Sequence, residues 1–418
     1  MTKLFLNRRG VFEFLVYILL LLPFLSFLVY IVFGVFFNFN NFYFPIYIFL
    51  IILSLSYVNK LKIAHFKFFL SFIIILFITM FAYIRNQAGM GIIEFLRAIS
   101  GYYIFIFIGW CLYKMYYEKN EIRRLLRMIV SMAFWISIIN IFHFVLLHTD
   151  NYIHNGWTIT FDRYQLVTDY LMKLNKLFYD YIVISAQYND IGFIRAVGYF
   201  FDTHSQYYMP LGASIILIFS KNIIRFKNVY LGVMLCSFFL SGVKTAYMTV
   251  VLMFLIFLFK SSRMFLYIKK SLPFILLICF LFWEKILHLI LGEGMWKILF
   301  QLFEHTIFVP YTFIKYDVVS FFVGGASYLR DNPLFYSEVF WVTVTFYIGV
   351  VGVLIYLKPV CLFKYLKNDK VRLGGYLYIL FCLSLTHYSV YMVGINNLMS
   401  ALPFMYAEFK LQMQRNSY

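Results

Sequence analysis

Segment 192–212 reads GFIRAVGYFFDTHSQYYMPLG and sets Arg195, Asp202 and His204 at the foot of an apolar run. A guanidinium grips phosphate oxygens through two parallel hydrogen bonds, so Arg195 is a candidate clamp on a phosphate-bearing ligand. An interfacial arginine touching lipid phosphate is the competing reading. Lys244, in LSGVKTA, is a second cation in apolar surroundings. A lysine at membrane depth costs on the order of 3 kcal/mol and usually lines a pathway or a site. A lysine snorkelling from the end of a span is its alternative. Glu338 opens the apolar stretch SEVFWVTVTFYIGVVG. A partly desolvated carboxylate has a raised pKa and can take a proton, whereas a span-end glutamate facing water does nothing of the kind. His204 is a second candidate base, although a lone histidine is more often structural. Arg85 and Arg97 flank a short segment and are candidates to complete a basic vestibule. Arg330, beside Asp331, either joins that vestibule or forms a loop ion pair.

The elements that hold these residues follow from composition. Hydrophobic residues are 63% of the 418, and charged residues 13%. A soluble domain carries roughly 45–50% apolar and about 25% charged residues. That surplus cannot be hidden in one core, so the reading is a polytopic membrane protein: an all-α transmembrane helix bundle forming a single integral membrane domain over 1–418. The net charge of +18 does not point to nucleic acid, because the basic residues sit in short clusters between apolar runs. The five cysteines are scattered, without metal spacing or a disulfide framework. The first apolar run lacks a small-residue cleavage site after it and reads as an uncleaved span.

With about 20 apolar residues per span, candidates fall at 11–37, 42–58, 68–84, 98–113, 129–147, 207–219, 229–259, 271–291 and 337–357, with a final pair within 373–407. The run 229–259 is double length. It is preceded by KNIIRFKN and followed by KSSR, both basic, so a break at Ser241–Ala246 returns the chain to the side it came from. That gives about twelve passes with both termini cytoplasmic. Twenty-five of the 36 basic residues then lie inside, as the positive-inside rule requires. The arm 229–240 would rise only about 18 Å against a core of about 30 Å. The vertex SGVK is therefore expected below the outer surface, in a re-entrant dip or a wet vestibule.

Two outer loops are long, 148–204 and 292–336, and both are expected to be partly helical. In the first, Val167, Leu171, Leu174 and Phe178 fall on one helical face and Asp169, Lys173, Lys176 and Asp180 on another. This reads as an amphipathic helix on the outer membrane surface. The sequence lacks a phosphate-cradling glycine loop, a metal-ligand cluster and a nucleophile motif with a partnered histidine. No cofactor or metal is expected.

Three segments resemble the O-antigen polymerase and ligase superfamily of bacterial membrane glycosyltransferases. RAVGYFFDTHSQYYMPLGASIIL is similar to the family segment with arginine, two variable positions and glycine before a span. LCSFFLSGVKTAYMTVVLMFLIF is similar to its broken hairpin, whose vertex usually reads serine–arginine. FFVGGASYLRDNPLFYSEVFWVTVTFYIGVVGVLIYL is similar to the end of its long outer loop and the Gly-x-x-Gly span beyond. The likeness covers about 190–360. It departs at Lys244, where the family commonly has arginine. It departs again at Glu338, near which ligases carry a histidine motif, and this favours a polymerase.

The resemblance implies undecaprenyl-diphosphate-linked oligosaccharides as substrates, joined at the periplasmic face of the bacterial inner membrane. Arg195, Lys244, Arg330 and Arg85 would face the diphosphate, and Glu338 or His204 would serve as base. Membrane lipids, a chain-length regulator and a flippase are the implied partners. The alternatives are a ligase that transfers polysaccharide to lipid A–core, and a flippase or transporter of lipid-linked oligosaccharide. A transporter calls for paired interrupted helices in two related halves.

Overall fold

A computed structural model of the chain describes residues 42–55, 119–148, 153–155, 158–160, 207–220, 223–242, 244–258, 318–324, 349–355, 372–384 and 398–406, with shorter pieces within 10–25, 70–84 and 106–116 and residue 289. The elements are α1 (Tyr43–Leu55), α2 (Lys119–His148), β1 (Ile153–Asn155), β2 (Thr158–Thr160), α3 (Tyr208–Phe219), α4 (Lys227–Leu240), α5 (Lys244–Leu258), α6 (Val318–Val323) and α7 (Arg372–Ser384). Residues 349–355 and 398–406 are helical as well. The described part is thus helical apart from one small hairpin.

The longest helix, α2, has 30 residues and rises about 45 Å. Neither glycine nor proline interrupts it, and Glu121 in its first turn suits the positive end of the helix dipole. It begins ten residues before the expected span at 129–147. The reason lies in its stripe: Leu125, Leu126, Ile129, Val130, Ala133 and Ile136 are all buried, at spacings of one, three and four. This period carries the helix down through the basic residues Arg123, Arg124 and Arg127, which are exposed on the other face. Within α2, the 21 residues Glu121–Ile141 are long and apolar enough to cross a membrane. Three further apolar helices, Tyr208–Phe219, Lys227–Leu240 and Leu373–Leu383, are shorter.

Central to the fold is α3, in which every residue from Tyr208 to Leu217 is buried. Its proline, Pro210, sits in the first turn, where a missing N–H costs no helical hydrogen bond. Helices α2, α3 and α4 pack pairwise, α7 packs on α3, and α5 packs on α7. Stacked rings mark two of these contacts: Phe134 on Tyr230 between α2 and α4, and Phe219 on Tyr376 between α3 and α7, each with centroids 4.1 Å apart. Arg127 Nε donates to the Ile223 carbonyl at 3.0 Å, tying α2 to the connection between α3 and α4. The last apolar region is two helical segments lying together. Phe381 of α7 meets the Phe404 ring edge-on at 5.6 Å, and Gly374 lets Tyr406 approach its backbone.

Outward faces of these helices are apolar. On α1, Tyr47 and Leu50 are buried while Ile48, Phe49 and Ile52 are exposed. Trp135 on α2, Val229 and Phe239 on α4, and Phe254 on α5 are exposed too.

The loop 148–204, expected to be partly helical, carries a short strand pair. Its start pairs β1 with β2 in antiparallel register, Ile153 opposite Thr160 and Asn155 opposite Thr158. That register leaves Gly156 and Trp157 between the strands, and a glycine first in a two-residue connection is a hairpin composition. The β-branched Ile153, Thr158, Ile159 and Thr160 favour strand. The expected amphipathic helix over 161–183 lies outside the described residues. In the other long loop, 292–336, α6 supplies the helical part. Of the pass expected at 337–357, residues 349–355 are described and helical, and Gly349 has φ of +64°.

Candidate functional site

The break expected in the double-length run falls at residues 241–243, between α4 and α5. Two features of the sequence make it. Gly242 adopts φ of +63°, a left-handed conformation that costs other L-residues about 1–2 kcal/mol. Ser241 then takes over the hydrogen bonds that a continuing helix would have made. Its N–H donates to the carbonyls of Ser237 (3.1 Å) and Phe238 (3.2 Å), and its Oγ donates to Phe238 at 2.6 Å. The Gly242 N–H donates to the Phe239 carbonyl at 3.3 Å, and the Tyr247 hydroxyl donates to the same carbonyl. A buried carbonyl left unpaired costs about 1–3 kcal/mol, and Ser241 avoids that cost at the buried Phe238.

Tyr247 also sets the geometry of the turn. Its ring stands edge-on to Phe238, with centroids 5.7 Å apart, and stacks on Phe239 at 6.1 Å. The first turn of α5 is thereby folded against the last turn of α4. Ser241, Ala246 and Thr249 are buried around the vertex. One helical turn before it, Asn140 Nδ2 of α2 donates to Ser237 Oγ of α4 at 3.2 Å. Both residues are polar interruptions in apolar runs, ISIINIFHF and LCSFFL, which is the signal by which sequence alone marks such a pair.

Lys244 is the first residue of α5. A helix N-terminus carries about half a positive charge, and here the lysine backbone adjoins it. With 14 residues, α4 rises about 21 Å from Lys227 to Leu240.

Helices α3 and α4 pack together and are joined by residues 220–226. Tyr207, at the start of α3, therefore belongs to the same end of the bundle as the vertex. Its ring is fully buried, and its hydroxyl has no hydrogen-bond partner among the described residues. Next to it, the Tyr208 hydroxyl accepts from Ser400 Oγ at 3.2 Å. The start of α5, the buried Ser241 and the buried Tyr207 thus lie toward one end of the bundle.

Among the residues singled out in the sequence, Lys244 is the one whose backbone is described, and Arg97 is not described. Arg85, Arg195, His204, Arg330 and Glu338 lie outside the described residues. No protein-family model matches the chain, and neither a curated protein nor a solved structure gives a match.

Proposed function

We propose that this chain is a polytopic membrane glycosyltransferase that polymerises undecaprenyl-diphosphate-linked oligosaccharide units at the outer face of a bacterial inner membrane. One observation carries the reading: the double-length apolar run breaks at Ser241–Gly242, and the next helix opens on Lys244 about 21 Å along from Lys227. A cation at a helix start, part-way through a core of about 30 Å, suits a ligand whose diphosphate sits at headgroup depth. The apolar exterior of α1, α2, α4 and α5 supports lipid as the surrounding medium. Twelve passes, with both termini cytoplasmic, complete the proposed topology.

In the proposed reaction, the acceptor sugar's hydroxyl attacks the anomeric carbon of the donor. The bond from that carbon to the phosphate oxygen breaks, and undecaprenyl diphosphate leaves with its electron pair. Arg195 and Lys244, with Arg330 and Arg85 around them, stabilise the charge that grows on the diphosphate. Glu338, or His204 in its stead, accepts the acceptor hydroxyl's proton. His204 stands three residues before Tyr207 in the chain, and Tyr207 belongs to the vertex end of the bundle.

Purified protein in detergent, given a lipid-linked repeat unit, tests the reading. A ladder of longer lipid-linked chains is expected. Transport without bond formation would replace it with a flippase. In a deletion strain, surface polysaccharide of one repeat per chain is expected. Free polymer accumulating on its carrier would indicate a ligase.

A further inference from the structure

A half-open groove of about 680 Å³ runs along α2 beside the first helical stretch, its charged mouth at the opposite end of α2 from the vertex. Its size falls in the range of small-molecule sites, roughly 300–1,000 Å³. Its two ends differ in chemistry. Glu13, Arg124 and Arg127 line one end, and Leu21, Trp135 and Ile139 continue the wall away from it. From Arg124 to Ile139 the wall rises about 22 Å, longer than one leaflet's share of a core of about 30 Å. The wall is apolar but uncovered: Tyr17, Leu21 and Trp135 are 46%, 49% and 62% exposed. The mouth carries two guanidiniums against one carboxylate. Arg124 Nη2 donates to Glu13 Oε2 at 2.7 Å, yet the Arg124 side chain remains 66% exposed. A guanidinium has five donors, and that contact uses one of them. Arg127 spends its Nε on the Ile223 carbonyl, which fixes its position, and the residue is exposed at the groove.

We propose that this groove is a binding site for an anionic phospholipid of the cytoplasmic leaflet. The lipid phosphate lies against Arg124 and Arg127, and one acyl chain lies along Leu21, Trp135 and Ile139. The charge of the mouth selects the headgroup, and the length of the wall selects a chain over a free anion. Glu13 competes with the phosphate for Arg124, so the pair opens when the lipid binds. The basic cluster Lys119–Arg127 sets the leaflet. This inference rests on the membrane part of the proposed function and is independent of the polymerase part.

The test uses the full chain in nanodiscs of phosphatidylcholine, with phosphatidylglycerol or phosphatidylcholine brominated on the acyl chain as quencher. The difference in emission between wild type and Trp135→Phe isolates the groove tryptophan. Brominated phosphatidylglycerol is expected to quench it at a mole fraction about five-fold lower than brominated phosphatidylcholine. Arg124→Gln removes most of that preference, and Glu13→Gln increases it. Arg124 is exposed, so its variant folds even if Arg127→Gln does not. Equal quenching by the two lipids, or an unchanged preference in Arg124→Gln, overturns the site. Displacement of the lipid by millimolar inorganic phosphate would also overturn it, because the acyl wall would then contribute nothing. The assay contains no oligosaccharide, so its failure is distinguishable from failure of the glycosyltransferase reading.

Discussion

Substituting alanine at Gly349 and at Gly232 makes a matched pair with opposite expected signs. A Cβ on Gly349 would stand 2.2 Å from the Phe322 carbonyl oxygen, 2.3 Å from its carbon and 2.5 Å from the Val323 nitrogen. All three are backbone atoms at the end of α6, so no side chain can swing aside. The residue also has φ of +64°, which costs an alanine about 1–2 kcal/mol. Overpacking of this kind adds about 1–3 kcal/mol, so Gly349→Ala is expected to destabilise by about 2–5 kcal/mol. Gly232 lies within α4 with nothing inside 4 Å of its would-be Cβ. There alanine removes the helix penalty of glycine and stabilises by about 0.5–1 kcal/mol. Reversible unfolding in mixed micelles, followed by circular dichroism, reads both changes. Equal shifts for the two variants, or a neutral Gly349→Ala, would refute the contact between the second long loop and the segment 349–355. The same contact predicts that Gly349→Ala loses polymerising activity, because it disturbs the segment that follows Glu338.

Three further outcomes are expected. Gly242→Ala destabilises by about 1–2 kcal/mol and Gly242→Asn by less, since asparagine tolerates the left-handed region, as unfolding of the two variants will show. Tyr207→Phe keeps or raises stability, because it removes a buried hydroxyl without a partner among the described residues; loss of stability would mean that the hydroxyl is already satisfied. A double-mutant cycle of Asn140→Leu and Ser237→Ala gives a coupling of about 0.6 kcal/mol, with about 1.7 kcal/mol as the upper range for such bonds between membrane helices; zero coupling would remove the polar link between α2 and α4.

Charge and period carried much of the fold into view before any coordinates. Basic flanks on both sides of 229–259 required a break, and Gly242 with Ser241 supplies it within the expected segment. Tyr208–Phe219 and Tyr43–Leu55 follow their apolar runs almost residue for residue. Apolar length marked 129–147 but not the ten helical residues of α2 before it. It ignored Leu125 and Leu126, whose spacing to Ile129 and Ala133 continues the buried stripe through the basic turns. Length also hid the left-handed glycine at 349, because Gly349 and Gly352 read as ordinary small residues of a span. The hairpin at 153–160 was missed since three-residue strands are too short for a period to register. Lys244 was visible as a charge inside an apolar run. The Glu13–Arg124 contact was not, because it joins residues 111 positions apart and neither looks unusual beside its own neighbours.

The central claim is that Lys244 stabilises a departing diphosphate from the vertex of a broken helix. Its most direct measurement is the elongation rate of a lipid-linked repeat unit by purified Lys244→Ala and Lys244→Arg proteins, with unfolding curves for both. Removing one such charge costs about 10²–10³-fold in rate. Lys244→Ala is therefore expected to fold normally and fall by at least that factor, while Lys244→Arg retains most activity. Wild-type ladders from a well-folded Lys244→Ala protein would contradict the account.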